Sequence, residues 1–247
     1  MIKDRQQTGI SCKDCKFSQL CLAKQFSVED KQRMDKFIQK VKILNKGEHV
    51  YRDNDPVDYI YAVHSGNLKD YYVDENGQEY INNFYFVGDL LALETLPQKR
   101  YSFSAVALSR TTLCMIPVVS LLTEMQTFPA LLKRFLHISS YKMLNDKHIR
   151  PTTNAKQRVA DFLVNMLYRL EERNGKKDNF QLPMSQVDMS FMIGMAYETV
   201  SRVLHHFEDE NIIRINNRQI TILNSKLLLT LGNNMKHLDQ STAILPM

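Results

Sequence analysis

The sequence predicts an α+β fold, with an all-β sandwich or barrel first, one long helix next and a helix-turn-helix with a β-hairpin last. Three observations predict it. Short alternating runs fill 41–116 and are interrupted by turn-forming residues about every 10 residues, as in all-β domains. A continuous helical pattern follows from Phe128 to Ile149, and two short helical patterns meet at Gly194. The turn signals of the β-rich part lie at 46–48, 53–56, 65–67, 75–77 and 88–89.

Length and composition limit the function. The 247 residues provide room for one large or two modest domains. No apolar run approaches the ~18 to 20 residues of a membrane span, and the first residues do not resemble a signal peptide. We therefore expect a cytoplasmic protein without a membrane partner. Its net charge is +5. The residues before Leu121 include 16 basic and 15 acidic ones, and the residues from Leu121 onward include 16 basic and 12 acidic ones. The excess lies in the half with the helix-turn-helix, which weakly supports contact with phosphates.

The cysteines form the first candidate site. Cys12, Cys15 and Cys21 lie within ten residues, and Cys114 follows 93 residues later. Cysteines of a cytoplasmic protein rarely form structural disulfides, so these four are not expected to be paired in this way. Soft thiolates suit an iron–sulfur cluster or zinc, and three clustered thiols can converge on one centre because their loop is short. From the residues alone a cluster, a zinc ion and no metal all remain open.

Two helices flank the β-rich part. An amphipathic helix is predicted from about Ser27 to Phe37, with Ser27 as its cap. The long helix begins at Phe128, has Pro129 in its first turn, and is stopped by Pro151. Its apolar stripe is longer than packing on one domain requires, which favours pairing with a second copy. The stripe consists of Leu131, Leu132, Phe135, Ile138 and Met143 and continues at Ile149. Asp146 is the only acidic residue within this helix.

The stretch from Leu182 to Ile213 carries the second candidate site. Ser185 can cap a first helix, Gly194 allows a tight turn, and a second helix starts near Tyr197. The second helix buries one face, and the opposite face of its first turns is polar. The buried face consists of Val200, Val203, Leu204 and Phe207, and the opposite face of Tyr197, Glu198, Ser201 and Arg202.

This pair of helices could be an ordinary helical hairpin with a charged outer face. The residues that follow favour another interpretation, because Ile213 to Ile222 forms two alternating runs around Asn216-Asn217, which is typical of a hairpin. A helix-turn-helix followed by a hairpin is a winged helix, whose second helix enters the DNA major groove. Glu198 can accept from a cytosine N4, Arg202 can donate twice to guanine, and Ser201 can serve either base.

Glu198-Thr199-Val200-Ser201-Arg202 and the hairpin resemble the DNA-binding domain of the CRP/FNR superfamily of bacterial transcription regulators. The Glu-x-x-Ser-Arg pattern is that of the FNR branch. The resemblance implies a β-roll of the cyclic-nucleotide-binding type, which is a jelly roll. It divides the chain into a cysteine-rich cluster-binding segment (1–24), a β-roll sensor domain (25–121), a dimerisation helix and hinge (122–152), a winged helix-turn-helix (153–232) and a tail (233–247).

The resemblance also implies a cofactor. Cys12, Cys15, Cys21 and Cys114 match, position by position, the cysteines that ligate an oxygen-labile 4Fe–4S cluster in FNR. One cluster per subunit is therefore expected. Lys16 departs from the small polar residue that FNR proteins often have there, which bears on oxygen sensitivity. The alternative is a regulator of the same superfamily with a zinc-stabilised or small-ligand-gated roll and no redox sensing.

Cyclic nucleotide binding is not expected. The CRP branch uses a Gly-Glu-Leu turn for the ribose and an Arg-Ser pair for the phosphate. This chain has Gly88-Asp89-Leu90 and Tyr101-Ser102 instead. Arg100 is one residue away from the required position, and on a strand that shift turns the side chain to the other face.

Further expectations come from the resemblance. A homodimer would read inverted TTGAT-like half-sites through Tyr197, Glu198, Thr199, Ser201 and Arg202, although Tyr197 departs from the small aliphatic residue common there. Met143 and Asp146 would lie at the dimer interface, and an aspartate matching Asp146 keeps cluster-free FNR monomeric. The loop with Asp74, Glu75 and Gly77 would contact RNA polymerase, the alternative being a solvated hairpin tip. An enzyme is not expected, because no nucleophile–base motif or Gly-rich phosphate loop is present.

Overall fold

The computed structural model of the chain describes residues 10–38, 40–146, 154–175 and 179–232. The chain divides into two compact units, Met1–Lys147 and His148–Met247. The predicted hinge residue Pro151 and the predicted helical residue Ile149 lie outside the described residues, as does the tail from 233 to 247.

The first unit contains eight strands in two four-stranded sheets. The strands are β1 (Lys40–Leu44), β2 (His49–Tyr51), β3 (Tyr59–Ser65), β4 (Leu68–Val73), β5 (Glu79–Tyr85), β6 (Leu90–Leu91), β7 (Ser104–Ala107) and β8 (Thr111–Pro117). One sheet has the order β1-β8-β3-β6 and the other β2-β7-β4-β5, and every pairing is antiparallel. Two such sheets form the expected jelly roll, and the predicted turns connect its strands.

The alternation of side chains along β8 decides which residues lie inside the roll. Leu113 is fully buried, and the next residue, Cys114, is half-buried on the opposite face of the strand. In the register of this sheet Cys114 lies between Val41 of β1 and Ala62 of β3. Cys114 therefore belongs to the outer face of the β1-β8-β3-β6 sheet.

Three α-helices and a short 3-10 helix, Leu93–Thr95, complete the described part of the first unit. The predicted N-terminal helix is α1 (Val28–Phe37), and Ser27 caps it by accepting from the Asp30 N–H at 3.1 Å. A helix that was not predicted, α2 (Val118–Thr127), follows β8 directly. The long helix is α3 (Pro129–Asp146).

The apolar residues of α3 do not form one stripe, so that prediction was wrong. Leu131 is fully buried, and Phe135 and Ile138 pack against the same core. Leu132, Leu136 and Met143 are 41%, 56% and 64% exposed. At 3.6 residues per turn these sets lie on two different faces, about 100° apart. The exposed set, at i, i+4 and i+11, has the spacing of a coiled-coil seam.

The second unit contains the predicted winged helix. Its helices are α4 (Ala155–Asn174), α5 (Gln186–Ile193), α6 (Tyr197–Asp209) and α7 (Ser225–Leu231), and its strands are β9 (Asn179–Gln181), β10 (Ile213–Asn216) and β11 (Gln219–Ile222). The hairpin turn is Asn217-Arg218, one residue later than predicted, and Asn217 has φ +56°. Strand β9 was not predicted, and its pairing with β11 makes a three-stranded sheet.

Within the described part of the chain, no helix combines the length and the apolar character that crossing a membrane requires.

Candidate functional site

The cysteine loop, residues 10–26, packs on the outer face of the roll. Leu22 and Ala23 are fully buried and anchor it. Short-range backbone bonds keep it compact, such as Ser18 N–H to the Cys15 carbonyl at 3.0 Å. Gly88, which has φ +92° in the turn before β6, approaches Leu20 so closely that a Cβ there would lie 2.6 Å from the Leu20 Cβ. Glycine at position 88 is therefore needed for the loop to pack against this turn.

All four cysteines line one small cavity between this loop and the outer face of the roll. They are free thiols, and the cavity has a volume of about 30 Å³. The remaining lining is mostly apolar and includes Phe17, Leu22, Met34, Ala62, Ile38 and Ile116. The structure thus brings Cys114 together with the N-terminal trio, a convergence that the family resemblance implied.

Burial raises the pKa values of Cys12, Cys21 and Cys114 and so favours their protonated form. Burial raises the pKa of Cys12 well above its ordinary value, with contributions from Cys21 and Asp35. Burial also raises the pKa of Cys114 to about 12, again with contributions from Cys21 and Cys15. Thiolates this close repel each other, so a positively charged inorganic group that replaces their protons relieves the repulsion.

Among the residues that the structure describes, no three or more His, Cys, Asp or Glu side chains are placed to hold a single metal ion. Tetrahedral zinc needs four ligands around one point, with sulfur at about 2.3 Å. A four-iron cluster binds each thiolate at a different iron and therefore accepts sulfurs that are further apart. The four cysteines are donors of the type that both groups use.

Charged side chains of two helices hold the cysteine loop, Asp35 and Arg134 among them, and no sequence pattern predicted these two contacts. Asp35 of α1 accepts from the Cys12 N–H at 2.5 Å and from the Ser11 hydroxyl at 2.6 Å. Arg134 of α3 donates from Nη2 to the Cys21 carbonyl at 3.2 Å. Burial raises the pKa of Cys21, and the Arg134 charge acts in the opposite direction. These two residues connect the loop to two helices.

In the second unit, the turn between α5 and α6 has the predicted construction. Ser185 accepts from the Asp188 N–H at 3.0 Å, and Asp188 accepts from the Ser185 N–H at 3.0 Å, which completes a capping box. Gly194 ends α5 with φ +60°. Arg158 of α4 donates to the Ile193 carbonyl and so braces the turn.

The polar face of α6 lies where the sequence predicted it. Tyr197, Glu198 and Arg202 are exposed, and Thr199 and Ser201 are half-buried. The opposite face, with Val200, Val203, Leu204 and Phe207, is buried. One face thus fixes the helix to its unit, and the other is accessible to a partner.

The loop between β4 and β5 is a tight, exposed turn. Asp74 accepts through Oδ1 from the N–H groups of Asn76 and Gln78, both at 2.9 Å. Glu75 and Gly77 are exposed at its tip. Beside it, Tyr72 and Tyr80 stack with ring centroids 5.1 Å apart, and both are partly exposed.

Stacked aromatic rings lie in the interior of the roll. Tyr51 and Tyr101 stack with centroids 3.9 Å apart, and both are almost fully buried. Arg100 is directed away, since Nη1 donates to the Asn54 carbonyl at 2.7 Å. Asp89 accepts from the Phe86 N–H of its own turn at 2.9 Å.

A β-roll followed by a winged helix with an accessible polar face on its second helix defines a DNA-binding transcription regulator. Two family models match the chain: a cyclic nucleotide-binding domain over residues 41–128 and a Crp-like helix-turn-helix domain over residues 157–231. The chain is 32% identical to the transcriptional activator protein anr of Pseudomonas aeruginosa over 94% of its length and 96% of that protein. It therefore belongs to the CRP/FNR family.

Other relatives agree with this assignment. The fumarate and nitrate reduction regulatory protein of Yersinia pestis is 30% identical over 94% of this chain and 95% of that protein. The structure of FixK2 from Bradyrhizobium japonicum matches with a TM-score of 0.70 at 25% identity, over 78% of this chain and 96% of that one. By their names, the Pseudomonas aeruginosa relative is a transcriptional activator and the Yersinia pestis relative a regulatory protein.

Proposed function

We propose that the protein senses oxygen through one 4Fe–4S cluster per subunit, bound by Cys12, Cys15, Cys21 and Cys114. The observation that supports this proposal is the convergence of four thiols, distant in sequence, on one cavity that has no other evident use. When bound, the cluster supplies four cationic ligand sites that oxygen can destroy. The names of the relatives, which include a fumarate and nitrate reduction regulator, agree with anaerobic gene control.

The surrounding residues have separate roles in this proposal. Asp35 fixes the backbone at Cys12, and Leu22 and Ala23 keep the loop on the roll. The apolar lining excludes water, so that after loss of the cluster the buried thiols take up protons. Zinc, which also takes four thiolate ligands, is the alternative occupant.

A cyclic nucleotide is not part of the proposal. The stacked pair Tyr51 and Tyr101 fills the interior of the roll. The nearest candidate for a phosphate-binding cation, Arg100, has its guanidinium bonded to a backbone carbonyl outside the core. The match to the nucleotide-binding family therefore reflects the fold.

The second part of the proposal is a homodimer formed through the exposed face of α3. Leu132, Leu136 and Met143 are aliphatic, exposed and at seam spacing, and a second copy of the same helix is the partner that this spacing suits. Asp146 continues the spacing by three residues, although its side chain lies outside the described part of the structure. Two such carboxylates near the dimer axis would repel each other and oppose dimerisation without the cluster.

The third part is DNA recognition by two copies of α6 on inverted TTGAT-like half-sites. Glu198 and Arg202 are exposed one turn apart on the accessible face, in reach of adjacent base pairs. Ser201 and Tyr197 lie on one flank of this pair and Thr199 on the other, and all three would complete the contact. A monomer reaches only one half-site and loses most of the affinity, which links dimerisation to regulation.

RNA polymerase is the proposed protein partner, through the turn with Asp74, Glu75 and Gly77. The exposed Tyr72 and Tyr80 beside this turn support an interaction surface, because stacked aromatic rings at the surface are typical of binding sites.

The proposed function is tested by measuring binding to a duplex with two inverted TTGAT half-sites, under argon and after exposure to air. We expect tight binding of a cluster-loaded dimer under argon and a loss of about 100-fold or more in air, because the second half-site is lost. The Cys114→Ala variant should bind weakly in both conditions. Equal binding of the wild-type protein in both conditions would refute oxygen sensing.

A further inference from the structure

The helix α3 carries three different contacts around its circumference. Leu131, Phe135 and Ile138 face the core of the roll, and Leu132 and Leu136 face solvent. Arg134 lies between the two exposed leucines in sequence, but at 100° per residue it projects about 160° to 200° from them. Arg134 reaches the cysteine loop, so the loop and the exposed face lie on opposite flanks of one rigid helix.

The acceptor of Arg134 belongs to a cysteine of the candidate cluster site. The Cys21 carbonyl accepts from Arg134 Nη2 at 3.2 Å and from the Lys24 N–H at 3.1 Å. One oxygen therefore serves both the turn that shapes the cysteine loop and the helix behind it. Any change in the Cys21 backbone that opens this turn also alters the bond to α3.

We infer that Arg134 is the positioning residue that couples the cysteine loop to the dimer face. This inference rests on the proposed cluster and dimer. With a cluster held by the Cys21 sulfur, the backbone of that residue would be fixed, and its carbonyl would orient Arg134 and with it the first half of α3. When the loop is released, the partly buried guanidinium loses this acceptor. Because a buried donor without an acceptor is costly, Arg134 bonds to a different acceptor, and this shifts the helix. Leu132 and Leu136, each two residues away, move with it.

The coupling is measured as a ratio of two dimer dissociation constants, that of the cluster-free protein over that of the cluster-loaded protein, by sedimentation velocity. Arg134→Met keeps the apolar stem of the side chain but removes every donor. Arg134→Gln remains polar but is too short to reach the carbonyl, and it is measured in parallel in case the first variant folds poorly. Iron content per chain is determined for each sample.

Arg33→Met is the matched control. Arg33 of α1 also donates to a backbone carbonyl, that of Thr127, at 3.1 Å, and it also pairs with Glu124 of α2. It does not contact a cysteine residue through any bond that the structure gives. The same substitution at position 33 removes a comparable hydrogen bond and leaves the bond between Arg134 and the Cys21 carbonyl in place.

Both Arg134 variants should retain iron and lower the ratio by about tenfold, the effect of one hydrogen bond to a charged group. Arg33→Met should keep the ratio within about twofold of the wild type. Iron-loaded Arg134 variants with the wild-type ratio would overturn the inference, and so would loss of iron from both, because Arg134 would then serve cluster retention. A wild-type protein without iron would instead refute the proposed function itself.

Discussion

Replacing Gly88 by alanine tests whether the cysteine loop packs where the structure has it. A Cβ at position 88 would lie 2.6 Å from the Leu20 Cβ and 2.7 Å from the Leu20 carbonyl oxygen. Gly77 is a suitable control because it has a similar positive φ, +80° compared with +92° for Gly88. No atom lies within 4 Å of a Cβ built on Gly77.

The two substitutions share the strain of a positive φ, which costs about 1 to 2 kcal/mol for a residue with a Cβ. Only Gly88→Ala adds a clash. Carbon atoms in contact prefer a separation of about 3.5 to 4.0 Å, so Leu20 would have to move by about 1 Å. Part of the obstacle is backbone and cannot rotate away, so a further 1 to 3 kcal/mol, roughly the cost of overpacking, is expected.

Urea unfolding of both variants gives the difference in the free energy of unfolding, and iron analysis after anaerobic purification gives the cluster content. Gly77→Ala should lose about 1 to 2 kcal/mol and keep its iron. Gly88→Ala should lose about 2 to 5 kcal/mol and retain much less iron, since the displaced loop carries three of the four thiols. Equal stability and equal iron in the two variants would refute the packing of the loop on this turn.

Five other substitutions follow from the same structure. Cys114→Ala should abolish cluster retention while Met115→Ala, its neighbour on β8, keeps it, and unchanged iron in the former would disprove the ligand assignment. Arg202→Ala should cost about 1 to 3 kcal/mol on the specific site and relax one base position, whereas an equal loss on all sequences in a binding titration would make Arg202 a phosphate contact. In sedimentation, Leu136→Ser should weaken the dimer more than Leu122→Ser on α2, since Leu122 is similarly exposed. A larger effect of Leu122→Ser would place the interface elsewhere. Asp146→Ala should strengthen the cluster-free dimer. Burial raises the pKa of Asp70 to about 6, so its stabilising contribution is present at low pH and is lost as the pH rises through about 6. Asp70→Asn should therefore gain about 2 kcal/mol relative to wild type between about pH 4 and pH 7, and parallel pH profiles would contradict this.

Local patterns explain what the sequence could predict. The faces of α6 follow from the spacing of Val200, Val203, Leu204 and Phe207, which is a property of the helix alone. The roll could be predicted from turn-forming residues, because the short connections between its strands are themselves local sequence patterns. The convergence of Cys114 on the N-terminal cysteines followed from a family pattern, not from the spacing itself.

Contacts between distant segments could not be predicted. Asp35 meets Cys12 across 23 residues and Arg134 meets Cys21 across 113, and neither pairing leaves a periodic signal. The division of α3 into two faces was missed because Leu131 and Leu132 are adjacent apolar residues, and only packing decides which of them is buried. The short strand β9 depends on its pairing with β11.

Iron and acid-labile sulfide per chain, measured under argon and again after exposure to air together with the visible spectrum, test the central claim most directly. We expect about four of each, a broad absorbance at about 400 nm, and the loss of all three in air. A colourless protein with about one zinc per chain in both conditions would contradict the oxygen-sensing account and leave a DNA-binding regulator with a structural metal.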